Sequence, residues 1–253
     1  MVASAYSGRA PGLAPQKTQM RFTGVRLNCQ PRMESPAHTR VKVCCMKSIE
    51  EVWMAIDAGA SAIGLVSPMP SGPGPISNER AAEISAEVPP GIDAFLLTPL
   101  QDVGELVEQN RLVKARALQL VDALAPGAHA ELRRAMPGVR LVQVIHVTGP
   151  ESVEEAATVA PDVDAILLDS GNPSLEVKEL GGTGRRHDWA LSREIRERVD
   201  VPVWLAGGLN PDNAREAIET VGPFALDVCS GLRTGEGYDL DPDKLERFMA
   251  AVR

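Results

Sequence analysis

From Val41 to the C-terminus, short apolar runs of strand length alternate with amphipathic stretches of helical length. Eight apolar runs occur, at 41–45, 62–66, 94–97, 117–121, 141–147, 165–168, 201–205 and 225–228. Helical stretches between them include 48–58, 77–87, 151–159, 188–199, 211–221 and 242–252. Because a helix separates successive strands, the strands are expected to run parallel, which predicts an α/β fold.

The number of units and the positions of the glycines favour a closed barrel over an open sheet. A doubly wound sheet usually has fewer strands and a GxGxxG loop after the first of them. Here the first run is followed by Cys45-Met46-Lys47, and paired or loop glycines follow the late runs, at Gly207-Gly208 and Gly231. The sequence therefore predicts an α/β fold with a single (β/α)8 TIM barrel over 41–253.

Several helix ends carry recognisable signals. Ser48, followed by Glu51, is typical of a helix start, and Asn210 before Pro211 predicts another. Asp188 is a further candidate cap, and Gly59 stands where a helix is expected to stop.

Residues 1–40 differ from the rest of the chain. They hold six Lys/Arg and one acidic residue, which leaves 20 basic against 33 acidic residues in 41–253. They also lack hydrophobic periodicity and are rich in Ser, Gly and Pro, so we expect a disordered leader or extension outside the fold. An organelle transit segment and an upstream start codon, with Met33 as the later start, both remain open.

Charge and cysteine content limit the functional classes. The net charge of −8 argues against nucleic acid or an anionic membrane as partner, and no apolar run approaches the roughly 18 residues that span a bilayer. The four cysteines include the adjacent pair Cys44-Cys45 but no CxxC spacing, so neither a disulfide framework nor a zinc site is expected. We therefore expect a cytoplasmic protein of a reducing compartment, without metal.

In a barrel, chemistry is expected at the C-terminal strand ends. Alternation of side chains directs Lys42 and Cys44 inward when Val41 and Val43 face the helices. Asp169 ends the sixth strand and precedes the glycine-rich segment 181–184. Each residue also has a structural explanation, since free cysteines often fill cores and strand-end aspartates often cap helices. Their joint placement at one barrel end favours a functional site.

Five motifs carry a family resemblance: Lys42-Val43-Cys44, Leu167-Leu168-Asp169-Ser170, the GGTG of 181–184 with Asp188-Trp189, the LAGGLNP of 205–211, and Asp227-Val228-Cys229-Ser230-Gly231. Over about 41–253 the chain resembles phosphoribosylanthranilate isomerase of tryptophan biosynthesis. The resemblance implies an Amadori rearrangement of an N-linked ribose phosphate, without cofactor, in a (β/α)8 barrel. The expected partner is this small sugar phosphate, and we expect a monomer or homodimer.

The resemblance also implies roles for individual residues. Cys44 matches the general base and Asp169 the general acid, while Lys42 is expected to help lower the pKa of the thiol. The backbone N–H groups of four residues are expected to bind phosphate: Gly207, Gly208, Ser230 and Gly231. Asp227 is expected to hold a polar group of the substrate, and Gly182 and Thr183 to close over it.

Three departures from the family pattern concern the aromatic side of the substrate. Cys45 replaces a glycine after the catalytic cysteine, and Gly74 stands where an arginine is expected to bind the anthranilate carboxylate. The motif Gln-Leu-His-Gly is here 119–122, Gln-Leu-Val-Asp. Arg185 or Arg186 is a candidate replacement for the missing arginine. Alternatives are a related isomerase acting on another N-linked or aminated sugar phosphate and a non-catalytic barrel that binds a phosphate ligand.

Overall fold

The structure, a computed structural model, describes residues 39–175, 177–182, 184–235 and 237–253. Its eight strands form a closed barrel in which every neighbouring pair is parallel, β8 pairing with β1. The strands are β1 Arg40–Val43, β2 Ala62–Val66, β3 Asp93–Thr98, β4 Ala117–Leu120, β5 Arg140–His146, β6 Ala165–Asp169, β7 Val203–Leu205 and β8 Ala225–Val228. The predicted (β/α)8 barrel is confirmed. Most of the predicted leader lies outside the described residues.

A helix follows each strand and packs on the outside of the barrel. The helices are α1 Ile49–Ala58, α2 Asn78–Glu87, α3 Val103–Val113, α4 Ala128–Ala135, α5 Glu151–Val159, α6 Trp189–Arg198, α7 Ala214–Val221 and α8 Pro242–Ala251. None of the helices in the described ranges is long and apolar enough to cross a membrane.

Helix ends follow the expected signals with one exception. Ser48 accepts a hydrogen bond from Glu51 N, Asp188 accepts one from Ala190 N, and Gly59 ends α1 at a φ of 108°. The predicted start of α7 at Pro211 is wrong, because residues 211–213 form a turn and the helix begins at Ala214. Asn210 supports that turn instead, its Oδ1 accepting a hydrogen bond from Asp212 N.

Two apolar layers follow from the alternation of side chains along the strands. Val41 and Val43 belong to the large cluster between strands and helices. Cys44, Phe95 and Trp204 belong to a second cluster, which fills the barrel interior. The predicted inward direction of Lys42 and Cys44 is therefore confirmed, and Lys42 is fully buried.

Candidate active site

A pocket of about 610 Å3, open to solvent, lies at the C-terminal ends of the strands. Most of the predicted site residues line it: Cys44, Asp169, Gly182, Gly207, Gly208, Asp227 and Ser230. Lys42 is buried and hydrogen-bonded to Asp227, and Gly231 packs against Leu209 and Asn210 of the loop after β7. Thr183 lies outside the described residues. The strand ends thus bring the predicted acid–base pair and the predicted phosphate loops to one cavity.

Cys44 is a buried thiol on the pocket floor. Burial raises the pKa of this thiol to about 11, although nearby Lys42 acts in the opposite direction. Asp227 offsets that effect, because its carboxylate pairs with the Lys42 ammonium and disfavours a second negative charge. The expected direction of the Lys42 effect is confirmed, since Lys42 lowers the pKa of Cys44, but burial outweighs it and the pKa of the thiol lies above its ordinary value.

Asp169 ends β6 inside the same pocket. Its burial raises the pKa of the carboxyl above the ordinary value, against the opposing effects of Ser170 N–H and His146. Ser170 N donates to Asp169 Oδ1 at 2.7 Å. The following helix, α6, is capped by Asp188 and not by Asp169. The surroundings of Asp169 thus favour the protonated carboxyl more than water does, which suits a proton donor.

Lys42 and Asp227 form an ion pair inside the barrel, with 2.7 Å between Nζ and Oδ2. Burial lowers the pKa of Lys42, but the attractions to Asp227 and Cys44 together outweigh this effect, so the pKa is raised. The other carboxylate oxygen of Asp227, Oδ1, is buried without a hydrogen-bond partner among the described residues. Asp227 also lines the pocket, so this oxygen is available to a donor group of a ligand.

The loops after β7 and β8 form a glycine-rich cradle. Gly207 and Gly208 have φ angles of 81° and 65°, a region that favours glycine. In the described part of the chain, no hydrogen bond is donated by the N–H groups of Gly207, Gly208 or Ser230. A side chain at Gly231 would collide with the carbonyl of Leu209, so the absence of a side chain there allows the two loops to lie in contact. Such N–H groups are suited to an oxyanion.

Two further loops meet over the opposite side of the pocket, the β2–α2 loop (67–77) and the β6–α6 loop (170–188). Ser71 Oγ donates to Lys178 O at 2.5 Å and accepts from Leu180 N at 3.3 Å. Gly182 packs directly on Pro73, and a Cβ at Gly181 would stand 2.5 Å from Asp169 Oδ2. The glycines of this motif therefore allow the β6–α6 loop to lie against both the acid and the neighbouring loop.

Cys45 and Cys229 are joined by a disulfide, so the expectation of no disulfide is wrong. Cys45 follows Cys44 in the loop after β1, and Cys229 directly follows β8. These strands are neighbours in the closed barrel, which places the two Cα atoms 6.1 Å apart despite 184 residues of separation. Cys44 remains a free, buried thiol.

Arg233 is a site residue that the sequence did not reveal. Its guanidinium is 2% exposed, donates to Cys44 O and Cys45 O at 2.6 and 2.9 Å, and pairs with Glu51 at 2.8 Å. It thereby fixes the loop that carries the thiol. No local pattern marks an arginine and a glutamate that meet across 182 residues.

Gln119 is a second residue whose role becomes visible only in the fold. It lines the pocket from the end of β4, and its buried Oε1 has no partner among the described residues. Across the described ranges, no group of three or more His, Cys, Asp or Glu side chains is arranged to hold a metal ion.

Comparison with known proteins identifies the family of this chain. The sequence model of the family PRAI, N-(5'phosphoribosyl)anthranilate (PRA) isomerase, matches residues 41–251. An N-(5'-phosphoribosyl)anthranilate isomerase of Methanocella arvoryzae is 37% identical over 215 residues, 85% of this chain and 98% of the relative.

Two solved structures are similar along the whole barrel. One is a phosphoribosyl anthranilate isomerase in complex with reduced 1-(o-carboxyphenylamino)-1-deoxyribulose 5-phosphate, with a TM-score of 0.70 and 27% identity over 85% of this chain and 98% of that one. The other comes from a study of monomers generated from the dimeric Thermotoga maritima enzyme, with a TM-score of 0.68 and 26% identity over the same shares. The chain belongs to the N-(5'-phosphoribosyl)anthranilate isomerase family and is an isomerase of tryptophan biosynthesis.

Proposed function

We propose that Cys44 and Asp169 are the base and the acid with which this isomerase rearranges N-(5'-phosphoribosyl)anthranilate into its 1-deoxyribulose 5-phosphate product. One observation carries the proposal: a buried thiol and a buried carboxyl line one pocket that a glycine cradle bounds on one side. The thiol comes from β1 and the carboxyl from β6, so they reach the substrate from different strands.

The two groups act in sequence, Asp169 on the closed ring and Cys44 on the open sugar. Asp169 gives its proton to the ring oxygen while the bond from that oxygen to C1' breaks, and the nitrogen lone pair forms a cationic iminium at C1'. Cys44 then takes the proton from C2', and those electrons neutralise the iminium to give an enolamine. C1' then gains a proton from the Cys44 thiol while the C2' hydroxyl of the enolamine gives its own proton to the Asp169 carboxylate, which yields the ketone. Both groups return to their starting states, so the rearrangement is balanced without a redox partner.

The charges of the intermediate suit the pKa values of the free site. With a pKa of about 11, only roughly one Cys44 thiol in 10⁴ is ionised at pH 7. An iminium formed beside Cys44 favours the thiolate, because an opposite charge within a few ångströms lowers the pKa of a thiol. The base is thus strengthened when the ring has opened.

The remaining predicted residues have binding roles. The N–H groups of Gly207, Gly208, Ser230 and Gly231 hold the phosphate after β7 and β8. Asp227 Oδ1 accepts a hydrogen bond from a ribose hydroxyl, and Lys42 keeps Asp227 ionised and in position. Gly182 and Thr183 close the β6–α6 loop over the ligand.

The test is direct assay of the purified protein, with complementation of a tryptophan auxotroph that lacks the isomerase. We expect wild type to convert N-(5'-phosphoribosyl)anthranilate, and Cys44→Ala and Asp169→Asn to lose activity while remaining folded. Turnover of another ribosyl phosphate but not of this one would favour the related-isomerase alternative. If both variants kept full biological activity, a non-catalytic binder would be favoured.

The wider predictions are tested by separate measurements. The dimeric relative motivates sedimentation analysis to decide between monomer and homodimer. A cytoplasmic location, against organelle import through residues 1–40, is tested by fractionation. Limited proteolysis tests whether those residues are a leader distinct from a barrel of 41–253.

A further inference from the structure

Gly74 stands where the family pattern has a carboxylate-binding arginine, and its surroundings exclude a side chain. A Cβ at Gly74 would lie 2.8 Å from Cys45 Cβ, and the φ of Gly74 is 75°. Cys45 in turn stands where the family pattern has glycine. These two departures are therefore sterically coupled, and the carboxylate of the substrate requires a cation from another part of the chain.

The position of the aromatic ring follows from the two ends of the pocket. The glycine cradle follows β7 and β8, whereas an apolar wall comes from the β2–β3 side, with Val66, Met69 and Leu97, and from Leu180 of the β6–α6 loop. In a closed barrel of eight strands, β3 lies opposite β7. A substrate with its phosphate in the cradle thus directs its aromatic ring toward the ends of β2, β3 and β4.

Lys178 lies next to that side of the pocket, in the loop whose Leu180 and Gly181 line it. Its carbonyl accepts a hydrogen bond from Ser71 of the β2–α2 loop, and its Nζ pairs with Asp122 just after β4. The side chain therefore spans the top of β3, whose Leu97 lines the pocket. Its side chain is 42% exposed and its ammonium has three donors, so Asp122 leaves capacity for a second acceptor.

The other cations near the rim are directed elsewhere. Arg186 stacks on Trp189 and pairs with Glu216 of α7, and its backbone N lies beside Gly208 on the phosphate side. Arg185 pairs with Glu179. Lys47 pairs with Asp239, in the segment that follows β8.

We propose that Lys178 binds the anthranilate carboxylate in place of the arginine missing at position 74, bridging it to Asp122. The inference rests on the proposed function, since it names the group that recognises the aromatic half of that substrate. Lys178 acts on binding and takes no part in proton transfer.

The experiment compares two ligands, reduced 1-(o-carboxyphenylamino)-1-deoxyribulose 5-phosphate and its phenylamino analogue without the carboxylate. We expect wild type to bind the carboxylated ligand tighter by a factor of about 10 to 100, as a charge-assisted hydrogen bond would give. In Lys178→Met that preference should fall below about threefold. Lys178→Arg should retain most of it.

Two further variants keep the test decisive. Lys178→Met leaves the Asp122 carboxylate unpaired, so Lys178→Met with Asp122→Asn removes both charges, and it should lose the preference equally. Lys47→Met, also an ion-paired lysine, should keep the wild-type ratio. An unchanged preference in both Lys178→Met variants, or its loss in Arg185→Ala instead, would overturn the inference. If wild type bound neither ligand, the proposed function itself would fail.

Discussion

Lys42 Nζ and Asp227 Oδ2 are 2.7 Å apart inside the barrel, where the two side chains are 0% and 6% exposed. The two members of the pair have opposite effects on nearby Cys44, because Lys42 favours the Cys44 thiolate and Asp227 opposes it. This compensation leaves burial as the dominant influence on the thiol.

Breaking the ion pair between Lys42 and Asp227 should destabilise the folded protein. Asp227→Asn leaves a buried ammonium without its counter-ion, and we expect the free energy of unfolding to fall by about 3–5 kcal/mol. Urea denaturation at pH 7 measures it. Asp212→Asn is the control, because Asp212 pairs with Arg247 at the surface, where such a pair contributes about 0–1 kcal/mol. Equal losses in the two variants would contradict a special role for burial.

Asp169→Asn should separate activity from stability. Loss of the proton donor is expected to lower kcat/KM by a factor of about 10²–10⁴. Because the pKa of Asp169 is raised in the folded protein, the sign of its contribution to the pH dependence of stability can be stated. Below the unfolded-state pKa of about 3.9 the carboxyl is protonated in both states, and stability falls as pH rises through the native pKa.

The asparagine variant does not titrate, so it should unfold at higher urea than wild type at pH 7 and show no such advantage at pH 3. Asparagine also retains an Oδ1 acceptor for Ser170 N. The same difference in stability at both pH values would contradict the assignment of a raised pKa.

The barrel and much of the site could be predicted from sequence, because both depend on local periodicity. Alternation along β1 was sufficient to direct Lys42 and Cys44 inward, and strand-end position identified Asp169. The Cys45–Cys229 disulfide and the contacts of Arg233 could not be predicted, since they join β1 and β8 only after the barrel closes. The contact of Gly74 with Cys45 depends likewise on tertiary structure, so the sequence showed two separate departures where the fold has one.

The thiol of Cys44 should ionise at a higher pH than an ordinary thiol. With a pKa of about 11 in the native protein, its alkylation by iodoacetamide should accelerate roughly tenfold per pH unit up to about pH 10. Mass spectrometry of the peptide containing Cys44 measures the rate. Protein unfolded in urea is the control, and there the rate should level off above the ordinary thiol pKa of about 8.5. A native profile that levels off below pH 9 would be inconsistent with dominance by burial.

Gly231→Ala should weaken phosphate binding. The added methyl group would collide with Leu209 O and Asn210 Cα, so the loops after β7 and β8 must separate. We expect KM for the sugar phosphate to rise by roughly tenfold or more, because the cradle loses its alignment. Gly235→Ala serves as the control, since nothing lies within 4 Å of a Cβ there and its φ is not in the left-handed region. Equal KM values for the two variants would exclude the close approach at Gly231 as a determinant of the cradle.

Cys45 offers a test that separates its disulfide from its backbone conformation. The bond links residues 184 apart and closes the barrel between β1 and β8, so chain entropy predicts a stabilisation of up to about 5 kcal/mol. Reduction should therefore lower the urea midpoint of wild type, whereas Cys45→Ser and Cys45→Gly should be insensitive to the reductant.

The φ of Cys45 is 65°, a left-handed conformation that costs a non-glycine residue about 1–2 kcal/mol. With reductant present, Cys45→Gly should thus be more stable than Cys45→Ser by about 1 kcal/mol. If the serine variant proved equally stable, the left-handed conformation of Cys45 would not impose strain. If reduction left the urea midpoint of wild type unchanged, the disulfide would not stabilise the closed barrel.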